Sequence, residues 1–186
     1  MSNENRVCWR TPDAMYYLII EKLQIKQLEK LCSDARDEET GGILIGHYTD
    51  DFSTAIVTEV TPPPADSRKG PSWFIRGISG LRQLLRKRWI AYKRRYYIGE
   101  WHYHPASIVE PSSNDMRQMT RIANSKDYEC KNPIMLILGQ KVTAGDRSMR
   151  AFVFSSNNNA KEMFRINTEP IISNSHISQM RLENPT

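Results

Sequence analysis

His102 and His104 stand two residues apart in the run Glu100-Trp101-His102-Tyr103-His104-Pro105, and this spacing constrains the fold of the chain more than any other feature. Residues i and i+2 of an extended strand point to one face, so both imidazoles, with Glu100, line the same side of a strand. Pro105 stops that strand, and Ser112 and Asp115 then follow one helical turn apart. The chain must therefore bring a strand end against a helix start. Each fragment has an ordinary reading: a lone His-x-His is usually two exposed or hydrogen-bonded histidines, and a lone Ser-x-x-Asp is usually a helix cap. Taken together, two imidazoles, one carboxylate and an open fourth position describe a catalytic zinc site better than a structural one. The sequence reads as a metallohydrolase.

The rest of the chain reads as one α/β domain. Its 186 residues are about one domain's worth and can bury a sizeable core. Residues 15–21 (MYYLIIE) are β-branched and aromatic, so a strand; Ile25, Leu28, Leu31 and Cys32 recur at helical spacing, giving a helix that ends near Arg36. Residues 40–48 form a strongly apolar strand, and 54–60 alternate as its partner, with Thr49-Asp50-Asp51 between them. Residues 62–71 are a proline-rich loop. Ile78, Leu81, Leu85, Trp89 and Tyr92 mark the apolar face of a second helix, 96–104 is the histidine strand, and Ser112 opens a third helix. Residues 133–139 and 149–154 close the sheet, after which the text turns polar. The expected organisation is an N-terminal arm (1–14), a catalytic domain (15–167) and a mobile tail (168–186). Three widely spaced cysteines, Cys8, Cys32 and Cys130, without a CxxC pair, read as reduced thiols. There is neither a signal peptide nor a bilayer-length apolar run, so a cytoplasmic protein is expected.

The pattern His102-x-His104, seven residues, Ser112, two residues, Asp115 resembles the JAMM motif of the JAB/MPN-domain metallopeptidases, and it fits without a gap. That family also carries a glutamate just before a Gly-rich apolar strand, and Glu38-Glu39-Thr40-Gly41-Gly42-Ile43-Leu44-Ile45-Gly46 supplies it, with Glu39 at the matching position. The resemblance spans roughly residues 15–154, and its phrasing is most like bacterial JAB peptidases found beside ubiquitin-like conjugation enzymes, especially in CBASS anti-phage operons. It implies a single MPN/JAB domain: a mixed central sheet flanked by about three helices, in a cytidine-deaminase-like sandwich. It implies one zinc per chain, held by His102, His104 and Asp115, with Glu39 as general base and Ser112 as donor to the oxyanion. The residues alone would favour Glu100 as the base, since it shares the histidine face; two residues are about 6.6 Å of strand, which also suits a supporting role behind the ligands.

The implied substrate is the peptide or isopeptide bond after the C-terminal glycine of a ubiquitin-like protein, or of a target conjugated through its own C-terminus. An operon-encoded activating or conjugating enzyme is an implied partner. A JAB peptidase releasing an amino acid from a sulfur-carrier protein and a non-catalytic MPN scaffold are the competing readings; the complete ligand set argues against the scaffold. An extended substrate tail is expected to add along a strand edge near residues 54–60 and the 62–71 loop. Arg82, Arg86, Lys87, Arg88, Lys93, Arg94 and Arg95 form a basic cluster in a chain of net charge +5. Apolar positions keep helical period through it, so a basic outer helix face explains it better than nucleic-acid binding, as in DNA-repair-associated JAB relatives, although an acidic protein partner would suit it. His47 is expected to face solvent and His176 to lie in the tail; Trp101 and Tyr103, on the opposite strand face, are expected in the core.

Overall fold

The structure, a computed structural model, describes residues 5–105, 108–141, 147–156, 160–168 and 170. The elements run β1 (Arg6–Arg10), β2 (Tyr17–Glu21), α1 (Lys22–Ala35), β3 (Thr40–Tyr48), β4 (Thr54–Val60), β5 (Arg68–Gly70), β6 (Trp73–Ile75), α2 (Leu81–Trp89), β7 (Tyr96–Tyr103), α3 (Ser113–Asn124), β8 (Ile134–Lys141), β9 (Arg147–Phe154) and β10 (Ala160–Ile166). Eight strands pair in the closed order β1-β10-β9-β8-β7-β3-β4-β2, and β5-β6 is a separate hairpin. The β2/β4 and β7/β8 pairs are parallel and the others antiparallel, so the sheet is mixed.

The expected α/β domain with three helices and a mixed sheet is present, but the sandwich is corrected to a closed barrel. Closure comes from two strands that the sequence did not announce, β1 and β10. Residues 6–10, expected in an N-terminal arm, form β1, which pairs with β2 on one side and β10 on the other. Val7, Cys8 and Trp9 are all buried between these neighbours. The proposed tail lies outside the described residues apart from Thr168 and Pro170, as does His176.

Side-chain alternation sorts the core into two faces. Leu44, Ile98, Trp101, Tyr103, Leu136 and Val153 pack with Leu28, Cys32 and Ala35 of α1. Ile43, Ile45, Met135, Ile137 and Phe152 pack with Met119 and Ile122 of α3, and α2 leans on them through Leu81, Leu84 and Leu85. Trp101 and Tyr103 are core residues as expected; the Trp101 indole donates to the Thr61 carbonyl (2.9 Å) and the Tyr103 hydroxyl to that of Arg36 (3.1 Å). The second helix is shorter than its apolar period suggested. Gly80 starts it in a left-handed conformation (φ 76°), and Ile78 and Tyr92 are left exposed outside it. His47 is half-buried, not solvent-facing, and burial together with Arg6, Lys93 and Arg95 holds its imidazole below the usual range.

Strand β7 carries one irregularity that matters for the site. Against β3, Leu44 pairs with Gly99 but Ile45 pairs with Tyr97, so Ile98 is an extra residue in a bulge. A Cβ on Gly99 would lie 1.9 Å from the Ile134 carbonyl oxygen on β8, so only glycine fits there. The bulge shifts the alternation and puts Tyr97 on the face of Glu100 and His102, while Ile98 joins Trp101 on the other. Among the described residues, no helix is long and apolar enough to cross a membrane, and Cys8, Cys32 and Cys130 are buried thiols outside any disulfide.

Candidate metal and active site

Three elements deliver the site. The end of β7 supplies His102 and His104, the first turn of α3 supplies Asp115, and the turn before β3 supplies Glu39. His104 is fixed by its backbone N–H, which donates to the Leu138 carbonyl (2.8 Å). Asp115 is fixed by a reciprocal cap: its backbone N–H donates to Ser112 Oγ (3.2 Å), while the Ser112 backbone N–H donates to Asp115 Oδ2 (2.8 Å). The same Ser-x-x-Asp is thus both a capping box and the holder of a ligand, so its two sequence readings are compatible.

The ligand atoms of His102, His104 and Asp115 all lie within 4.8 Å of one another, and all three residues are buried. His102 Nδ1 is 3.0 Å from Asp115 Oδ1, and His104 Nε2 is 3.8 Å from Asp115 Oδ2. A divalent cation fits this group: the buried carboxylates of Glu39, Glu100 and Asp115 meet a single guanidinium, that of Arg76, in the ion pairs of the described site, and the two imidazoles with one carboxylate are borderline and hard donors that such an ion takes. The residues His102, His104 and Asp115 could hold a metal ion.

The electrostatics follow from burial among these charges. Burial raises the Glu39 carboxyl to about 7, with the charge of Asp115 adding to the rise and His102 opposing it. Burial also works against a charged Asp115, but hydrogen bonds from His102 and Ser112 outweigh it and hold the carboxyl at about 2. Without a metal, burial likewise disfavours an imidazolium at His102, yet Asp115 and Glu100 hold the ring at about 9. Glu39 is therefore the acid whose affinity for a proton suits transfer near neutral pH. Ser112 is exposed, and its oxygen already accepts from Asp115, leaving its hydroxyl proton to donate elsewhere.

Gly41 and the hairpin complete the surroundings. Gly41 pairs with His102 across β3 and β7, and a Cβ there would lie 2.5 Å from the Trp101 carbonyl oxygen and 2.7 Å from His102 Cδ2. The Gly-Gly start of β3 thus leaves room for the His102 ring. The hairpin is tied to the site by the Glu39 N–H, which donates to the Gly70 carbonyl (2.9 Å), and by the Phe74 ring, edge-on to His102 at 5.4 Å. Of the two segments near which a docking edge is expected, β4 is paired on both sides, with β2 and β3, inside the closed sheet, whereas β5 lies within the 62–71 loop. Among the described residues, β5 and β6 pair as strands only with each other, beside the site.

Sequence reasoning did not find Arg76, Tyr97, Gln118 or Phe74. Arg76 Nη2 donates to Glu100 Oε1 (2.9 Å), the Tyr97 hydroxyl to the same oxygen (3.3 Å) and Gln118 Nε2 to Glu100 Oε2 (2.8 Å). The one available signal was Gly99, a glycine inside a strand pattern, which marks a bulge or a close approach. The basic cluster is partly absorbed by the fold: Arg88 makes two bonds to Glu59 (2.6 and 2.9 Å), Arg95 lies 3.6 Å from the same carboxylate, and Arg94 covers the Trp89 ring.

Comparison with known proteins agrees with this geometry. The family described as prokaryotic homologs of the JAB domain matches residues 21–154. A protein of Enterobacter hormaechei subsp. hoffmannii named CD-NTase/cGAS isopeptidase is 46% identical over 147 residues, covering 79% of this chain and 80% of that one. A probable metalloprotease of Sinorhizobium fredii is 27% identical over 116 residues, covering 60% of this chain and 70% of its own. The solution structure of protein DSY2949 from Desulfitobacterium hafniense shares the fold with a TM-score of 0.53 at 21% identity, over 77% of this chain and 87% of that one. The chain belongs to the prokaryotic homologs of the JAB domain, and it is a metallopeptidase.

Proposed function

We propose that this protein is a zinc isopeptidase that hydrolyses the bond after the C-terminal glycine of a ubiquitin-like protein or of a target conjugated through its C-terminus. The observation that carries the chemistry is the buried His102, His104 and Asp115 group, with Glu39 near enough for its carboxyl to feel the charges of Asp115 and His102. What supports deconjugation is the relative of 46% identity named CD-NTase/cGAS isopeptidase, which points to a cyclic-nucleotide synthase conjugate and to CBASS anti-phage defence. Borderline nitrogen ligands with one carboxylate favour zinc over harder cations. Bound there, zinc supplies Lewis acidity, easing the deprotonation of water near pH 7 and polarising the scissile carbonyl.

The protein's own groups then have defined tasks. Glu39 takes the proton of the attacking water as its oxygen bonds to the carbonyl carbon, and delivers that proton to the nitrogen as the C–N bond breaks. The Ser112 hydroxyl donates to the oxygen that gains negative charge. Asp115 and the two histidines keep the ligand set oriented. The substrate tail runs beside the β5-β6 hairpin, whose edges can add an extended strand, and glycines at the tail's end suit the approach between Phe74 and the site.

The test is cleavage of a ubiquitin-like protein fused or conjugated through its terminal glycine. Wild type should cleave, a chelator should stop it, and zinc should restore it. Glu39→Ala should keep zinc and lose about 10²–10⁴ in rate, whereas His104→Ala should lose zinc and activity together. Full cleavage by a chelated protein, or wild-type rates from zinc-loaded Glu39→Ala, would overturn the mechanism.

A further inference from the structure

Glu100 takes no part in the proton transfers above, yet it is the most enclosed carboxylate of the site. Its side chain is 0% exposed and that of its partner Arg76 is 6% exposed. Four groups from different parts of the fold converge on it. Oε1 accepts from Arg76, just beyond β6, and from Tyr97, brought round by the β7 bulge. Oε2 accepts from Gln118 of α3 and lies 3.6 Å from the unpartnered Nε2 of His102. A buried ion pair of this kind is seldom more stable than apolar residues of the same volume, so its use lies in geometry.

We propose that Glu100 is a positioning residue, and that the Arg76–Glu100 pair is a strut coupling the β5-β6 hairpin to the metal-ligating ring of His102. A ligating imidazole holds its plane and tautomer by giving its other N–H to an acceptor, commonly a carboxylate. His102 turns Nδ1 towards Asp115 and Nε2 towards Glu100 Oε2, so Glu100 is placed to be that acceptor. The ring is also limited by the Gly41 backbone and by Phe74. Of these three restraints, Phe74 belongs to the hairpin, and Glu100 is anchored by the residue that follows it. A substrate tail that engages the hairpin therefore acts on the same restraints that hold His102. This rests on the metallopeptidase reading for its purpose, but not for its test.

The experiment measures zinc affinity by competition with a chromophoric chelator, and amide hydrogen exchange across residues 68–79. Arg76→Met should weaken zinc binding about 10–100-fold and speed exchange in 68–79. Arg76→Lys, which keeps the charge, should recover part of both. Glu100→Gln retains a carbonyl for Arg76 but loses the charge facing His102, so it should weaken zinc with little change in hairpin exchange. Should Arg76→Met not fold, the double variant Arg76→Met/Glu100→Gln, with no unpaired buried charge, takes its place in the same comparison. Zinc affinity within about twofold of wild type in Arg76→Met or in the double variant would overturn the strut, whatever the exchange shows. A wild-type protein that binds zinc, shows these losses in the variants and cleaves no conjugate would instead overturn the isopeptidase reading and leave the strut standing.

Discussion

Glu39 holds its proton to about pH 7 in the metal-free site, because burial and the neighbouring Asp115 both oppose its charge. In an unfolded chain the same carboxyl titrates near 4.5. Between these values the folded state binds the proton and the unfolded state has lost it, so metal-free stability falls as pH rises through that window. The gap corresponds to roughly 3 kcal/mol at most. Glu39→Gln removes the effect, and the metal-free variant should gain on wild type between pH 5 and pH 8 in denaturant melts. Parallel pH profiles for the two proteins would show that the carboxyl is not held protonated. Gly41 gives a second prediction. The methyl of Gly41→Ala would press on the Trp101 carbonyl and on His102 together, with an expected cost of about 1–3 kcal/mol and weaker zinc binding. A thermal melt and a zinc titration check both parts; a variant unchanged in both would mean that β3 has room to spare.

Helix α3 begins with a residue that has two jobs, and they can be separated. Ser112→Ala removes the cap bond to the Asp115 N–H, which should cost about 1 kcal/mol of stability. It also removes the hydroxyl donor, which should cost about 10²–10³ in kcat. Ser112→Asp keeps a capping oxygen without a neutral hydroxyl, so stability should return while activity does not. If activity returned with the cap, Ser112 would serve the helix alone. This element was legible in the sequence, as was β7, because a proline stop, a capping residue and an i, i+2 pair are all local signals. The less legible elements depend on distant partners. Strand β10 buries fully only Met163 of its seven residues, so its text reads as polar surface. Strand β1 is short, and its three central residues are buried only because β2 and β10 flank them. The hairpin strands have three residues each, below the length at which alternation can be counted. The bulge at Ile98 hid Tyr97 from the site, since strict alternation puts Tyr97 on the face of Trp101. The proposed zinc ligands needed only adjacency along the chain; the groups behind them needed the tertiary fold.

At the scale of the molecule, the closed sheet leaves none of its eight strands with a bare edge. Deleting residues 1–10 would remove β1 and open β2 and β10 at once. The expected result is a lower, less cooperative melt and self-association through the new edges, read by calorimetry and by light scattering. A truncated protein that stays monodisperse with an unchanged melting temperature would show that β1 is dispensable to the barrel. The register that closes the ring, Cys8 with Ile166 and Arg10 with Phe164, joins opposite ends of the described chain. Pairings of such long sequence separation are slow to find, because the whole intervening loop must be restrained before they repay it. A ribosome releases the β1 segment early and β10 late, so the ligand-bearing strand and helix are made while the ring still stands open. The final seam is thus a timing device in the protein's birth: until β10 arrives, the newly made sheet keeps an unpaired margin that a growing chain must shield from its neighbours.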